Sequence, residues 1–477
     1  MCYHYPLVFA LYRLRLPFLL LAFLIAPSFA ATPQQARDLD RQFQAAVSDY
    51  NSGRYAQAAT ELETLLPHAP NSFELHELLG LVYSELHEDA KADQHLGRAV
   101  RLNPASAPAR GNWATVLMRL GKLPAAEEQF KKAVALEPRN FDANHNLGEF
   151  YIQSRKLALA TPYLQRAQQI SPSYDNGYDL ALANFQLGRL AEAQKVVQDL
   201  LPHKNTAELH NLLAQIAEKS GNFLTAANEF QAAAHMEPSE SNLFDWGSEL
   251  LLHRTLDPAI QVFQQATDRY PQSPRLAIGL GIALYSRGNY DAAVTSLLRA
   301  ADMNPKDPNC YYFLSKAYDS SPSQADEVIQ RFRRFAELVP GNARAPYYYA
   351  MSLWKGRRMQ DAGVDFQQIE SLLKKSVALD PSLAEGHLQL ANLYSDEKKY
   401  AQSIPEYQRA LQHNSALPEA HYRLGQAYVH TGRKDLAQEQ FDIYQKVRAQ
   451  HQAELDRQRA EIRQFVYSAK NSGAARP

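Results

Sequence analysis

The sequence predicts an all-α chain of about twelve helical hairpins stacked in series. Three observations predict it. Pro70, Pro104, Pro138 and Pro172, then Pro238, Pro271, Pro305, Pro340 and Pro381, recur with a period of about 34 residues, the rhythm of stacked helical repeats. Small residues recur on the same rhythm in the first helix of each copy (Gly80, Ala114, Gly148, Ala214, Gly247, Gly281, Ala391, Gly425) and in the second (Ala58, Ala92, Ala126, Ala160, Ala193, Ala226, Ala259, Ala293, Ala437). Large residues stand beside them (Phe130, Phe230, Phe263, Leu297, Tyr407, Phe441), so two helix axes approach at the small side chain and the large one fills the gap. The stretch Arg275–Pro305 is the clearest copy: two apolar-periodic segments meet at Arg287-Gly288-Asn289 and the second stops at Pro305, which lacks an amide hydrogen and cannot continue a helix.

Residues 1–30 have the make-up of an export signal. Arg13 and Arg15 precede the short apolar run Leu16–Ala26, and Ser28-Phe29-Ala30 supplies small residues for cleavage after Ala30. An uncleaved N-terminal anchor is the competing reading, and Cys2 precedes the run rather than following it, unlike a lipoprotein signal. Residues 31–38 read as a polar lead-in and 39–444 as one continuous array. Glycines at 53, 121, 188, 221, 288 and 432 mark the turns between helices, where a residue with positive φ ends the first helix. The copy after Pro308 has Ser320-Ser321-Pro322 in place of that glycine, and the copy after Asn342 carries an insertion around Gly356–Asp365. The joints near Leu201–Thr206 and near Gly356 are the weakest. Residues 445–467 extend the last helix as a polar cap over the exposed end of the stack, or as a helix that pairs with a partner through Leu455, Ile462 and Val466. Residues 468–477 read as a disordered tail.

The repeated proline, the two small positions and the turn glycine resemble the tetratricopeptide repeat (TPR) family from about Leu39 to Tyr444. The resemblance implies a right-handed α-solenoid closed by a C-terminal capping helix. It further implies that the first helix of each hairpin lines a concave groove and that Tyr318, Tyr394 and Tyr428 are packing tyrosines.

Composition excludes some functions. Lys and Arg number 50 against 51 Asp and Glu, a balance that argues against nucleic acid as the main partner, because phosphate binding needs a basic footprint. With only two cysteines, and Cys2 upstream of the leader run, Cys310 stands alone and is read as a buried thiol among Tyr311, Tyr312 and Phe313.

No catalytic constellation stands out. There is no phosphate loop, no nucleophile elbow and no H-E-x-x-H pair. His76, His87 and His95 do not fall on one helical face at three- or four-residue spacing, so they make no metal site, and His387 and His421 read as wall residues. The chain is therefore read as non-enzymatic, with no catalytic residue and no cofactor.

What remains is the inner wall that the resemblance implies. Copied onto this chain, its early part carries Glu74, Glu77, Glu85, Asp142 and Glu149, with Arg119 and His145 among them. Its later part carries Phe244, Leu251, Ile278, Tyr285, Tyr312, Tyr347, Met351 and Trp354, then Asn392, Tyr422 and Gln426. The candidate partner-binding residues are Phe244, Ile278, Tyr285, Tyr312, Tyr347, Met351, Trp354, Glu77 and Glu149. Aromatic side chains dominate binding hot spots, and the same rings also fill inter-helix cores, so both readings stay open. The expectation is an exported scaffold, periplasmic or secreted, that grips a partner protein or an extended peptide. An accessory subunit of an envelope secretion or assembly machine is the second expectation.

Overall fold

A computed structural model of the chain describes residues 33–449, apart from 322 and 360–364, together with 459–466 and 469. The leader at 1–30 and most of the tail lie outside these residues, as does the middle of the inserted segment. All described regular structure is helical.

The described residues form two compact units that divide between Asn222 and Phe223. One continuous array was expected; the division falls in the turn of a hairpin, a short way past the Leu201–Thr206 joint. The N-terminal unit holds α1 (Pro33–Asn51), α2 (Tyr55–Leu65), α3 (Phe73–Glu85), α4 (Asp89–Leu102), α5 (Ala107–Arg119), α6 (Leu123–Leu136), α7 (Phe141–Gln153), α8 (Leu157–Ile170), α9 (Tyr174–Gln186), α10 (Leu190–Leu200) and α11 (Ala207–Lys219). Residues 33–38 of the expected lead-in are part of the first helix.

The C-terminal unit begins with α12 (Phe223–Met236), α13 (Glu240–Leu252), α14 (Leu256–Arg269), α15 (Pro274–Arg287), α16 (Tyr290–Met303), α17 (Pro308–Ser320) and α18 (Ala325–Leu338). It continues with α19 (Arg344–Met359), α20 (Phe366–Leu379), α21 (Ala384–Asp396), α22 (Tyr400–His413), α23 (Pro418–His430) and α24 (Lys434–Ala449). A further helical stretch, residues 459–466, is α25.

Local chemistry sets these boundaries. The first helix of each hairpin from α3 to α17 starts at a polar cap: the side chains of Ser72, Ser106, Asn140, Ser173, Thr206, Ser239, Ser273 and Asp307 each accept a bond from an amide of the first turn. The hairpin turn passes through one residue of positive φ. Glycine fills it at Gly288 (φ 96°), but His87, Arg155, Arg254, Gln324 and Lys398 hold it at φ 55–60°. Proline stands two residues past the end of α4, α6, α8, α12, α14, α16, α18 and α20.

The small residue of the first helix meets the large one sixteen positions later. A Cβ on Gly80 would lie 2.4 Å from Leu96 Cγ, on Gly148 2.6 Å from Leu164 Cδ2, on Gly281 2.5 Å from Leu297 Cγ and on Gly425 2.6 Å from Phe441 Cε1. Real carbon contacts sit at about 3.5–4.0 Å, so each glycine sets the distance between its two helices.

A second recurring element is polar. His76 places Nδ1 3.0 Å from His95 Nδ1 and Nε2 3.1 Å from the Pro70 carbonyl. His387 repeats this with Glu406 (2.6 Å) and the Pro381 carbonyl (3.0 Å), and His421 with Gln440 (2.7 Å) and the Ser415 carbonyl (3.0 Å). Arg110 does the same with Gln129 and Pro104. In each case one side chain ties the turn before its helix to the facing helix nineteen positions later.

Candidate functional site

In the C-terminal unit the first helices α13, α15, α17 and α19 lie side by side. Helix α15 is apolar nearly all round, with every residue from Leu276 to Leu284 buried, which is the signature of a helix with neighbours on all sides. On α17 and α19 the cover is less complete. Tyr312 and, one helix on, Tyr347 and Met351 line a single cavity of about 450 Å³. Lys316 and Arg344 share its wall with Asp319 and Glu385, so its charge is mixed. Burial pushes the Tyr347 hydroxyl far above its ordinary value and that of Tyr348 up to about 12, so both phenols stay neutral. A neutral phenol can donate one hydrogen bond and accept others beside an apolar ring.

The structure brings three of the sequence-predicted residues together at this cavity and corrects the placement of four others. Ile278 is core, since α15 is covered on every side. Trp354 lies on the same stripe as Tyr347 and Met351, yet it is 6% exposed and clusters with Ile369, Leu373, Leu390 and Leu393 of the following helices. Phe244 is fully buried, its ring edge-on to Phe263 of its own hairpin. Glu77 is 3% exposed rather than part of an open acidic wall. Tyr285 is half-buried, with its ring centroid 5.7 Å from that of Tyr290 across the hairpin turn. The packing tyrosines Tyr318, Tyr394 and Tyr428 are buried as the resemblance implied.

Helix α25 is a component that sequence reasoning read differently. A terminal cap was expected over residues 445–467. The described part instead packs on the middle of the unit: Phe465 sets its ring edge-on to Phe244 of α13 (6.2 Å, 73°) and to Phe313 of α17 (5.9 Å, 78°). Phe465, Val466 and Ala469 are buried, and Glu461, Gln464 and Phe465 form one side of the cavity. The signal available in sequence was the apolar stripe Ile462, Phe465, Val466, Ala469. Its destination, more than 200 positions upstream at Phe244, has no local signature.

In the N-terminal unit the acidic residues are only partly on the surface. Burial, then the charge of Glu74, lifts the Glu77 carboxyl to about 7. Asp179, which sequence reasoning missed, is lifted to about 7 by burial and by the charges of Glu149 and Asp175. Glu149 lies 3.8 Å from His145 Nε2, whose Nδ1 is 3.1 Å from Asn176 Oδ1. The His76 and His95 rings pack at a tilt, and burial, then His76, lowers His95 to about 4. Among the described residues no group of three or more His, Cys, Asp or Glu is placed to hold a metal ion. Cys310 is fully buried, its Sγ 3.1 Å from the Leu297 carbonyl, and burial holds the thiol well above its ordinary range.

Hairpins stacked through small–large pairs, with an apolar first-helix face that buries a helix from outside the array, define a helical-repeat protein. Comparison specifies the repeat. Tetratricopeptide repeat families match residues 112–175 and 244–308, 151–216, and 391–432, so matched segments fall in both units. The chain is 23% identical over 327 residues to the bovine BBSome complex member BBS4, covering 60% of this chain and 62% of that protein. It is 22% identical over 313 residues to the TPR repeat-containing protein YpiA of Bacillus subtilis (64% and 72%). It is 24% identical over 160 residues to the type IV pilus assembly protein PilF of Pseudomonas aeruginosa (33% and 64%). The chain thus spans less than two thirds of the bovine and Pseudomonas relatives. Among solved structures, Cut9–Hcn1 of the APC/C superposes with a TM-score of 0.38 over 92% of this chain and 96% of that one, at 13% identity.

Proposed function

We propose that this chain is a non-catalytic scaffold that holds a segment of a partner protein on the first-helix face of its C-terminal unit. The observation that carries the reading is the convergence of Tyr312, Tyr347 and Met351 on one cavity. Rings with neutral hydroxyls supply large apolar area at low entropy cost and a polar handle for orientation. Because the hairpins are rigid, the partner bears most of the ordering on binding. The make-up of residues 1–30 supports export, and with it a periplasmic or secreted place of work. Crosslinking in the native host tests this. A photoreactive residue at Tyr312 or Tyr347 should trap a recurring protein that the same residue at exposed Thr295 does not. Substitution of Met351 by Asp should abolish that adduct. Equal adducts at all three positions would remove the site.

A second reading, an accessory subunit of a cell-envelope assembly machine, is favoured by the similarity to a pilus assembly protein over a third of the chain. Co-purification with one fixed membrane complex, rather than with soluble clients, separates it from the first.

A further inference from the structure

We propose that α25 is a built-in occupant of the first-helix face, and that the partner of this face is an amphipathic helix bearing the same apolar stripe. This rests on the reading that the face binds a polypeptide and names what kind. Four observations carry it. First, α25 lies outside the repeat array: it has neither the small–large pair nor the trailing proline that recur through the hairpins, so the stack does not need it to close a repeat. Second, its contact is that of a docked helix. Ile462, Phe465, Val466 and Ala469 stand at i, i+3, i+4 and i+7, the spacing by which one helical face lies in a groove. The last three are buried and Ile462 is partly buried, whereas Arg459, Ala460 and Arg463 face solvent. Third, a single ring links two helices that are not neighbours. Phe465 lies edge-on to Phe244 of α13 and Phe313 of α17, with α15 between them. Aromatic edge contacts of this kind add to the area term, which makes Phe465 the anchor. Fourth, the cavity lined by Tyr312, Tyr347 and Met351 lies directly beside α25 and shares Phe465 as a wall. A partner helix with larger side chains can take the anchor position and fill this space too, and so displace a short resident helix that fills only the first.

The resident helix acts by effective concentration. Because α25 and the face belong to one chain, α25 competes at an effective concentration of about millimolar, so a free helix must bind more tightly than α25 or wait for its release. The stripe also fixes the partner's chemistry: an aromatic followed directly by a β-branched residue, an apolar residue three positions before the aromatic and a small apolar one four after it.

The probe is a fluorescein-labelled peptide of this chain's own residues 457–470, added to the full chain and read by fluorescence anisotropy. The wild-type chain should bind it at least tenfold more weakly than Phe465→Glu or Ala469→Glu chains, in which the resident helix is weakened and the repeats are untouched. A peptide carrying Glu at the Phe465 position should not bind either variant. Circular dichroism and thermal melts report whether each variant keeps its helices, and Ala469→Glu serves if Phe465→Glu unfolds. Equal affinity for wild type and a folded variant, or no binding to a folded variant, overturns the proposal. So does a wild-type dimer that Phe465→Glu dissolves, because α25 would then be exchanged between copies. Partner crosslinks at Tyr312 with no peptide effect would sink this inference alone. Peptide binding with no partner crosslink in any variant would sink the scaffold reading alone.

Discussion

Replacement of Gly281 by valine tests the packing rule on which the stack depends. A Cβ at this position would stand 2.5 Å from Leu297 Cγ, 2.9 Å from Cδ2 and 3.1 Å from Cδ1. The shortfall against a normal carbon contact is about 1 Å, and it falls on a branch carbon rather than a flexible tip. Leu297 is fully buried with Ala293, Val294, Ala300 and Ala301 around it, so it has nowhere to turn and α15 must move off α16. Overpacking of this kind costs about 1–3 kcal/mol, and the helix-propensity gain of valine over glycine returns only about 0.3 kcal/mol. We expect a net loss of about 1–3 kcal/mol. Leu297→Ala alone should cost about 2–5 kcal/mol through its cavity. In the double variant the valine methyls enter the space that the leucine leaves, so the two losses should fall short of additive by at least about 1 kcal/mol. Long repeat arrays need not unfold in one step, so the assay is native-state hydrogen exchange resolved over α15 and α16. Gly341→Ala is the control: nothing lies within 4 Å of its added Cβ, and no loss is expected. Additivity within about 0.5 kcal/mol would show that this pair does not set the helix spacing.

Other outcomes follow from single features. His87 and Arg254 hold a left-handed turn at φ 58°, so His87→Gly and Arg254→Gly should each stabilise by about 0.5–1 kcal/mol in thermal melts. The Glu77 carboxyl is raised to about 7, so the native state holds the extra proton and its stabilising effect is lost as pH rises from about 4.5 through 7. Glu77→Gln should therefore stabilise the N-terminal unit by about 1–3 kcal/mol at pH 8 and leave it unchanged at pH 4. Glu406→Ala strips the Nδ1 partner from buried His387 and should cost about 1–3 kcal/mol, while Glu406→Gln costs less; exchange over α21 and α22 reads both. Cys310 should resist alkylation until the C-terminal unit opens, with labelling rates that track denaturant rather than reagent concentration.

The hairpins were legible because their determinants are local. Gly281 and Leu297 are sixteen positions apart, and Pro305 follows Met303 by two, so both ends of each interaction sit inside one repeat. The caps Ser72 to Asp307 are local in the same way, each bonding an amide two or three positions on. Turns without glycine were harder: nothing about Arg155 or Lys398 announces a positive φ except its place in the period. At the candidate site, repeat register located Tyr312, Tyr347 and Met351. It failed for Ile278, because α15 is apolar on every face and offers no stripe to read, and for Trp354, whose indole is long enough to reach the next hairpin from a groove-facing position. The division between Asn222 and Phe223 has no composition shift to mark it.

The ambiguity over the aromatic face has a physical source, and α25 explains it. A ring on a first helix can be buried by its own hairpin or by something laid across several hairpins. Sequence periodicity reports only the first case. Phe244 is buried both ways at once: Phe263 covers one edge from within the repeat, and Phe465 covers it from a segment more than 200 residues downstream. Its pattern therefore reads as groove and its accessibility reads as core. The same holds for Phe313, edge-on to Phe465 and buried. Tyr312, its chain neighbour, points at the cavity and stays half-buried. The boundary between a covered and an uncovered ring on this face is thus drawn by α25, not by the repeats. Moving α25 would expose the Phe244 and Phe313 edges and join them to the mixed-charge Tyr312–Tyr347 cavity, enlarging the apolar part of this face. Exposed rings of this extent favour being covered again, by α25 itself or by another apolar helix.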